Sequence, residues 1–155
     1  MNTFSCKRNT DIEYFLKEKA ILFEKQNISR TYIIFDTEII GYFSIALKVL
    51  ELSADISKTS RKKMHGFSKE IESIPVFLIG QIGKNDLKTK SIAGKDLLAL
   101  AEMKIQECND IIGGRVILLE CENIDKLVTF YKTNSYIELQ KSDKDLIQFI
   151  KYVIN

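Results

Sequence analysis

Residues 75–83, Pro-Val-Phe-Leu-Ile-Gly-Gln-Ile-Gly, form a continuous apolar stretch opened by the only proline of the chain. A run of this length, apolar without alternation, predicts a strand buried on both faces. Downstream lies a polar loop, and then Leu97, Leu98, Ala101, Ile105 and Cys108 recur at helical spacing. Gly113-Gly114 breaks the chain ahead of Val-Ile-Leu-Leu (116–119), a second buried strand. Strand, helix and strand in this order imply a right-handed crossover between parallel neighbours. Further on, Ile124, Leu127, Val128 and Tyr131 share one helical face. Residues 136–140 and 146–153 read as two closing strands around Ser142-Asp143-Lys144-Asp145, although the last run is also periodic enough for a helix.

Upstream of the proline, Thr10-Asp-Ile-Glu13 has the capping-box pattern, and Ile12, Phe15, Leu16, Ala20 and Phe23 carry a helix to about Gln26. Residues 31–35 and 39–50 predict a hairpin around Asp36-Thr37-Glu38. The whole predicts a single domain over residues 1–155, an α/β fold whose mixed, twisted sheet has about six to seven strands with helices on both faces.

Composition narrows the function. Hydrophobic residues are 45% and charged residues 28%, which excludes a disordered or collagen-like chain. Lys+Arg 23 against Asp+Glu 21 leaves +2, so net charge alone gives no argument for a nucleic-acid partner. Cys6, Cys108 and Cys121 are widely spaced, and with His65 as the single histidine they match no zinc pattern and no disulfide framework. No metal is expected. The first twenty residues hold no apolar run of signal-peptide length, and nothing approaches the roughly 18 apolar residues of a membrane span. The expectation is a cytoplasmic protein with reduced thiols and no membrane contact.

The loop between the first buried strand and its helix is the place for chemistry. Residues 84–95 carry Lys84, Lys88, Lys90 and Lys95 against the one acid Asp86. Free N–H groups and the positive end of the helix dipole make such a place an anion site. The same residues also suit a solvated loop that caps a helix.

The order of elements, together with residues 75–83, Ile92-Ala-Gly-Lys-Asp-Leu-Leu98 and Phe130-Tyr-Lys-Thr-Asn-Ser-Tyr136, resembles the GNAT superfamily of acetyl-CoA-dependent N-acetyltransferases. The resemblance covers nearly the whole chain. In that family the strand matching 76–83 ends in backbone groups that bind the pantetheine arm and the acetyl carbonyl, which here implies Ile82, Gly83 and Lys84. A loop of pattern Gln/Arg-x-x-Gly-x-Gly/Ala then cradles the pyrophosphate. Laid on without a gap, its positions become Thr89, Lys90, Ser91, Ile92, Ala93 and Gly94, with Lys95 behind them. Thr89 stands for Gln/Arg and Ile92 for the first glycine, while Gly94 fits. A side chain at Ile92 makes close backbone approach to phosphate harder, leaving N–H groups and lysines to compensate.

The resemblance implies that Tyr131 is the general acid that protonates the departing CoA thiolate; by spacing alone it is equally a core aromatic. Glu120, at the end of the second buried strand, is the candidate base for the acceptor amine, or else a solvated carboxylate. Cys121 beside it suggests an acyl-cysteine route, yet His65 in a distant segment is the one base available, so direct transfer is expected. The asparagine that opens the family's helix falls on Ile124.

Residues 58–69 carry Lys58, Arg61, Lys62, Lys63, His65 and Lys69 without an acid, and Ile74-Pro75-Val76 follows. This layout is similar to the GNAT toxins of toxin–antitoxin pairs, which acetylate the amino group of aminoacyl-tRNA. It implies tRNA on the basic segment, and an antitoxin or a second copy as protein partner; a solvated helix face is the plainer alternative. The acceptor stays open among aminoacyl-tRNA, a protein amine and a small amine. The degenerate loop motivates a second reading, a catalytically inactive GNAT-fold module kept for binding.

Overall fold

The structure, a computed structural model, describes residues 3–87 and 91–153. Helix α1 (Thr10–Tyr14) continues through a π-helical turn (Phe15–Lys19) into α2 (Ala20–Lys25). Strands β1 (Arg30–Asp36) and β2 (Glu38–Glu51), α3 (Lys58–His65), β3 (Ser73–Lys84), α4 (Gly94–Ile112), β4 (Val116–Cys121), α5 (Asp125–Thr133), β5 (Ile137–Lys141) and β6 (Ile147–Tyr152) follow. The strands form one mixed sheet of six in the order β1-β2-β3-β4-β6-β5. The hairpin is as expected, with Thr37 alone between its strands at φ 58. The basic segment becomes helix α3, and the ambiguous last run becomes β6. That strand lies between β4 and β5, so Ile147 to Ile150 are all buried and the alternation that marks a half-exposed strand is lost.

The chain clusters into two compact units, residues 1–46 with 79–104 and residues 47–78 with 105–155. In the first, Phe4, Phe15, Leu16, Ala20, Ile39 and Tyr42 make the core, with Ile12 and Phe23 packed against it. In the second, Met64 of α3 packs with Leu50, Ile74, Val76, Val116, Leu118 and Ile150. Tyr131 of α5 lies instead 5.7 Å, ring to ring, from Phe149. Phe149 and Ile150 are successive strand residues and point to opposite faces, so α3 and α5 cover the two faces of this part of the sheet.

The expected capping box does not form. Asn9 caps the helix, its side chain accepting from the Asp11 N–H. Glu13 turns to tertiary partners: Lys17, the Cys6 N–H at 3.0 Å and the Ser5 hydroxyl at 3.1 Å. These lower its pKa from 4.5 to about 2, the Lys17 bond first and the Cys6 N–H second. A depressed carboxylate stabilises the fold above its ordinary pKa and ceases to do so as it protonates. Stability is therefore expected to fall between pH 4.5 and about 2, and Glu13→Gln should flatten that fall in urea melts taken across the window.

Candidate active site

The first unit contains the end of β3 and the start of α4. Gly83 is buried, with Ile82 and Lys84 half-buried beside it. A Cβ on Gly83 would collide with Cγ2 of Ile12, so glycine is what lets α1 approach the strand end. Ser91, Ala93 and Lys95 are exposed, and Ile92 and Gly94 are half-buried. The Ala93 carbonyl accepts the Asp96 and Leu97 N–H groups at 3.0 and 3.1 Å, which opens a 19-residue helix whose first N–H groups have no intrahelical partner. Thr89 and Lys90, and Lys88 with them, lie outside the described residues.

Ile92 is accommodated by a residue that the sequence reading did not single out. A Cβ on Gly41 of β2 would come within 3.2 Å of Ile92 Cγ2 and of the Gly83 carbonyl oxygen. Gly41 thus makes room on β2 for the branched side chain of Ile92. Its signal in the sequence is an isolated glycine within a strand, which commonly marks close approach.

The second unit holds Tyr131 and Glu120. Tyr131 is 6% exposed, with ring centroids of Phe130 at 5.2 Å and Tyr136 at 6.0 Å besides Phe149. Burial first, and Cys121 second, push its phenol up to about 12. It keeps its proton through the neutral range, as a donor must. The Tyr136 N–H bonds back to the Tyr131 carbonyl at 3.0 Å, closing α5 through Ser135 at φ 69. Ile124 is the N-cap residue of α5 and caps it with no side-chain bond.

On β4, Glu120 Oε1 accepts from Lys48 Nζ at 2.9 Å and from Gln148 Nε2 at 2.6 Å. Gln148 is 4% exposed and accepts in turn from Gln140 Nε2 at 2.7 Å. Glu120 is therefore held in a polar chain rather than loosely solvated. Strand alternation places it on the face of Val116 and Leu118, under α3. Cys121, the next residue on the strand, points the other way. The structure does not bring Glu120 and Tyr131 to one face of β4. Burial raises the Cys121 thiol to about 11, against its use as a thiolate nucleophile.

The basic segment divides. Arg61 donates to the carbonyls of Ile56, Ser53 and Ile71, stitching its loop together, and Lys58 pairs with Glu70 at 2.7 Å. His65 Nδ1 accepts the Ser68 N–H. Lys62, Lys63 and Lys69 are exposed, and Phe67 is 87% exposed. Arg115 joins them, its guanidinium against Gly66, while Lys63 Nζ lies 4.5 Å from the centroid of the Tyr152 ring. Among the described residues no group of three His, Cys, Asp or Glu side chains is placed to hold a metal, and no helix is long and apolar enough to cross a membrane.

No protein-family model and no curated protein sequence matches this chain. Solved structures do. One is AtaT complexed with acetyl-methionyl-tRNAfMet, at TM-score 0.74 and 21% identity over 96% of this chain and 85% of that one. The chain has the fold of the GNAT toxins. A tyrosine-to-phenylalanine mutant of KacT matches at TM-score 0.75 and 20% identity, over 97% of this chain and 85% of that one. A tyrosine-to-phenylalanine mutant of AtaT, bound to acetyl-CoA and the C-terminus of the antitoxin AtaR, matches at TM-score 0.72 and 18% identity, over 98% and 84%. The GNAT-like sheet and the toxin-like order of elements are thus those that the sequence resemblance implied.

Proposed function

We propose that this chain is an acetyl-CoA-dependent N-acetyltransferase, one acetyltransferase domain over residues 1–155, that moves the acetyl group directly onto the amino group of an aminoacyl-tRNA in the cytoplasm. The observation that carries the reading is likeness over 96% of the chain to AtaT, whose structure was solved with acetyl-methionyl-tRNAfMet. In this reading the pantetheine arm runs along Ile82, Gly83 and Lys84, where backbone N–H groups polarise the acetyl carbonyl. The pyrophosphate rests on the N–H groups of Ser91, Ile92, Ala93, Gly94 and Lys95, with Thr89 and Lys90 completing the loop.

The acceptor ammonium loses its proton to solvent, because Glu120 is held by Lys48 and Gln148 on the face of β4 opposite to Tyr131. The free amine attacks the carbonyl carbon and a C–N bond forms. The nitrogen of the new C–N bond loses its extra proton to solvent; as the tetrahedral intermediate collapses the C–S bond breaks, and Tyr131 gives its proton to the leaving thiolate, recovering one from solvent afterwards. Neither a covalent enzyme adduct nor a metal enters. Lys62, Lys63, Lys69 and Arg115 face the RNA phosphates, and an antitoxin or a second copy is the protein partner.

Transfer of labelled acetyl from acetyl-CoA to a panel of aminoacyl-tRNAs, free amino acids and protein amines tests the acceptor; label on tRNA alone supports the reading, and label only on a small or protein amine overturns it. Binding of tRNA should weaken steeply with salt. Removing Lys62 and Lys63 together should lower the slope of log K against log salt by about 1 for each lost contact, read from filter binding at several salt concentrations.

A further inference from the structure

We propose that Asn85 is the positioning residue for the cofactor loop, and that the N-terminal segment 3–7 belongs with it to the cofactor-binding apparatus. This rests on the reading of residues 91–95 as the pyrophosphate site.

Asn85 is the first residue after β3 and is 1% exposed. A buried amide needs partners for its oxygen and for its N–H groups, and here they come from three different stretches of chain. Oδ1 accepts from the Ser5 N–H and from the Leu87 N–H, both at 3.1 Å. Nδ2 donates to the carbonyls of Thr3 and Ile39, both at 2.8 Å. The Asn85 backbone N–H donates to the Ile40 carbonyl at 2.9 Å. Asp86 adds two more bonds to the N-terminal segment: its N–H donates to the Ser5 carbonyl at 2.8 Å, and its Oδ2 accepts the Lys7 N–H at 2.8 Å. Glu13 then ties Ser5 and Cys6 to the first helix.

The bond from the Leu87 N–H to the side chain two residues before it is an Asx turn, which sets the direction in which the chain leaves β3. The far end of the loop is fixed by Ile92 over Gly41. Asn85 bonds to Ile39 and Ile40, so both ends of the loop are pinned to three successive residues of β2. Backbone N–H groups hold a phosphate only when they are fixed in place beforehand. Pinning residues 85 and 92 to β2 supplies that fixing at the two ends.

The test is heteronuclear NMR titration of the full chain, wild type and variants, with CoA and separately with pantetheine, which has no pyrophosphate or nucleotide. Asn85→Ala is expected to raise the CoA dissociation constant about tenfold or more and to leave that for pantetheine unchanged within about twofold. Asn85→Asp keeps an acceptor for the Ser5 and Leu87 N–H groups but sets a carboxylate oxygen against the Thr3 and Ile39 carbonyls, so it should also lose CoA affinity and spare pantetheine. Unchanged CoA affinity, or equal losses for CoA and pantetheine, would overturn the proposal. If both variants fail to fold, amide exchange in the wild type decides: the Leu87 N–H should be slowed by CoA and not by pantetheine, and equal slowing by the two would contradict the role of Asn85. A wild type that binds no CoA defeats the pyrophosphate reading itself, a separate outcome.

Discussion

Tyr131→Phe is expected to lower acetyl transfer by about two to four orders of magnitude while leaving acetyl-CoA affinity within about twofold, the usual span for loss of a positioned acid. The substitution removes one oxygen and keeps the ring against Phe130, Tyr136 and Phe149, so packing survives. A phenol pushed up to about 12 is a proton donor that does not ionise at neutral pH. The same shift gives a check at the alkaline end. A group whose pKa is raised on folding contributes stability that is complete below its unfolded value of 10 and is lost as pH rises through about 12. The phenylalanine variant should therefore lose less stability than wild type between pH 10 and 12. Single-turnover transfer, acetyl-CoA titration and alkaline melts together separate the two roles of the side chain. If transfer is unchanged, Tyr131 is a core aromatic only.

Gly83→Ala is expected to destabilise the fold by about 1–3 kcal/mol, the ordinary cost of overpacking a filled site. The added methyl meets Cγ2 of Ile12, which is attached at the Cβ and cannot swing aside without turning χ1. Ile12 is also held from behind, since the Tyr42 hydroxyl donates to its carbonyl at 2.5 Å. Ile12→Ala removes the obstructing methyl, so the double variant should be more stable than the sum of the single effects predicts, by about 1 kcal/mol or more. Urea unfolding of the four proteins measures this. Strict additivity would mean that the strand end and α1 relax apart. Gly83 is also one of the residues read as facing the acetyl group, so Gly83→Ala should weaken acetyl-CoA binding even where it remains folded.

The strands were legible where burial on both faces leaves a continuous apolar run, as at Val76 to Ile79 and Val116 to Leu119, or where a turn closes a hairpin, as at Thr37. What was not legible is contact at long sequence separation. Glu13 looked like the partner of Thr10 because a capping box is local, but Ser5, Cys6 and Lys17 together outcompete it. Arg61 and Lys58 looked like free charges on a basic segment, and tertiary partners take both. Gly41 and Ile92 are separated by about a third of the chain, and neither explains the other until the fold brings them together. For the site, Tyr131 was marked by its motif alone, because the core period it shares with Leu127 and Val128 hides any other role. The hydrogen bonds of Glu120 depend on Lys48 and Gln148, which only the sheet order makes its neighbours.

The loop that carries Ile92 is expected to hold the pyrophosphate of acetyl-CoA. Calorimetric titration of the purified protein with acetyl-CoA tests it most directly. Saturable one-to-one binding in the micromolar range is expected, about −8 kcal/mol at a dissociation constant near 1 μM. Heat no greater than that of dilution, up to millimolar acetyl-CoA, would contradict it and leave a GNAT-fold module without transferase chemistry.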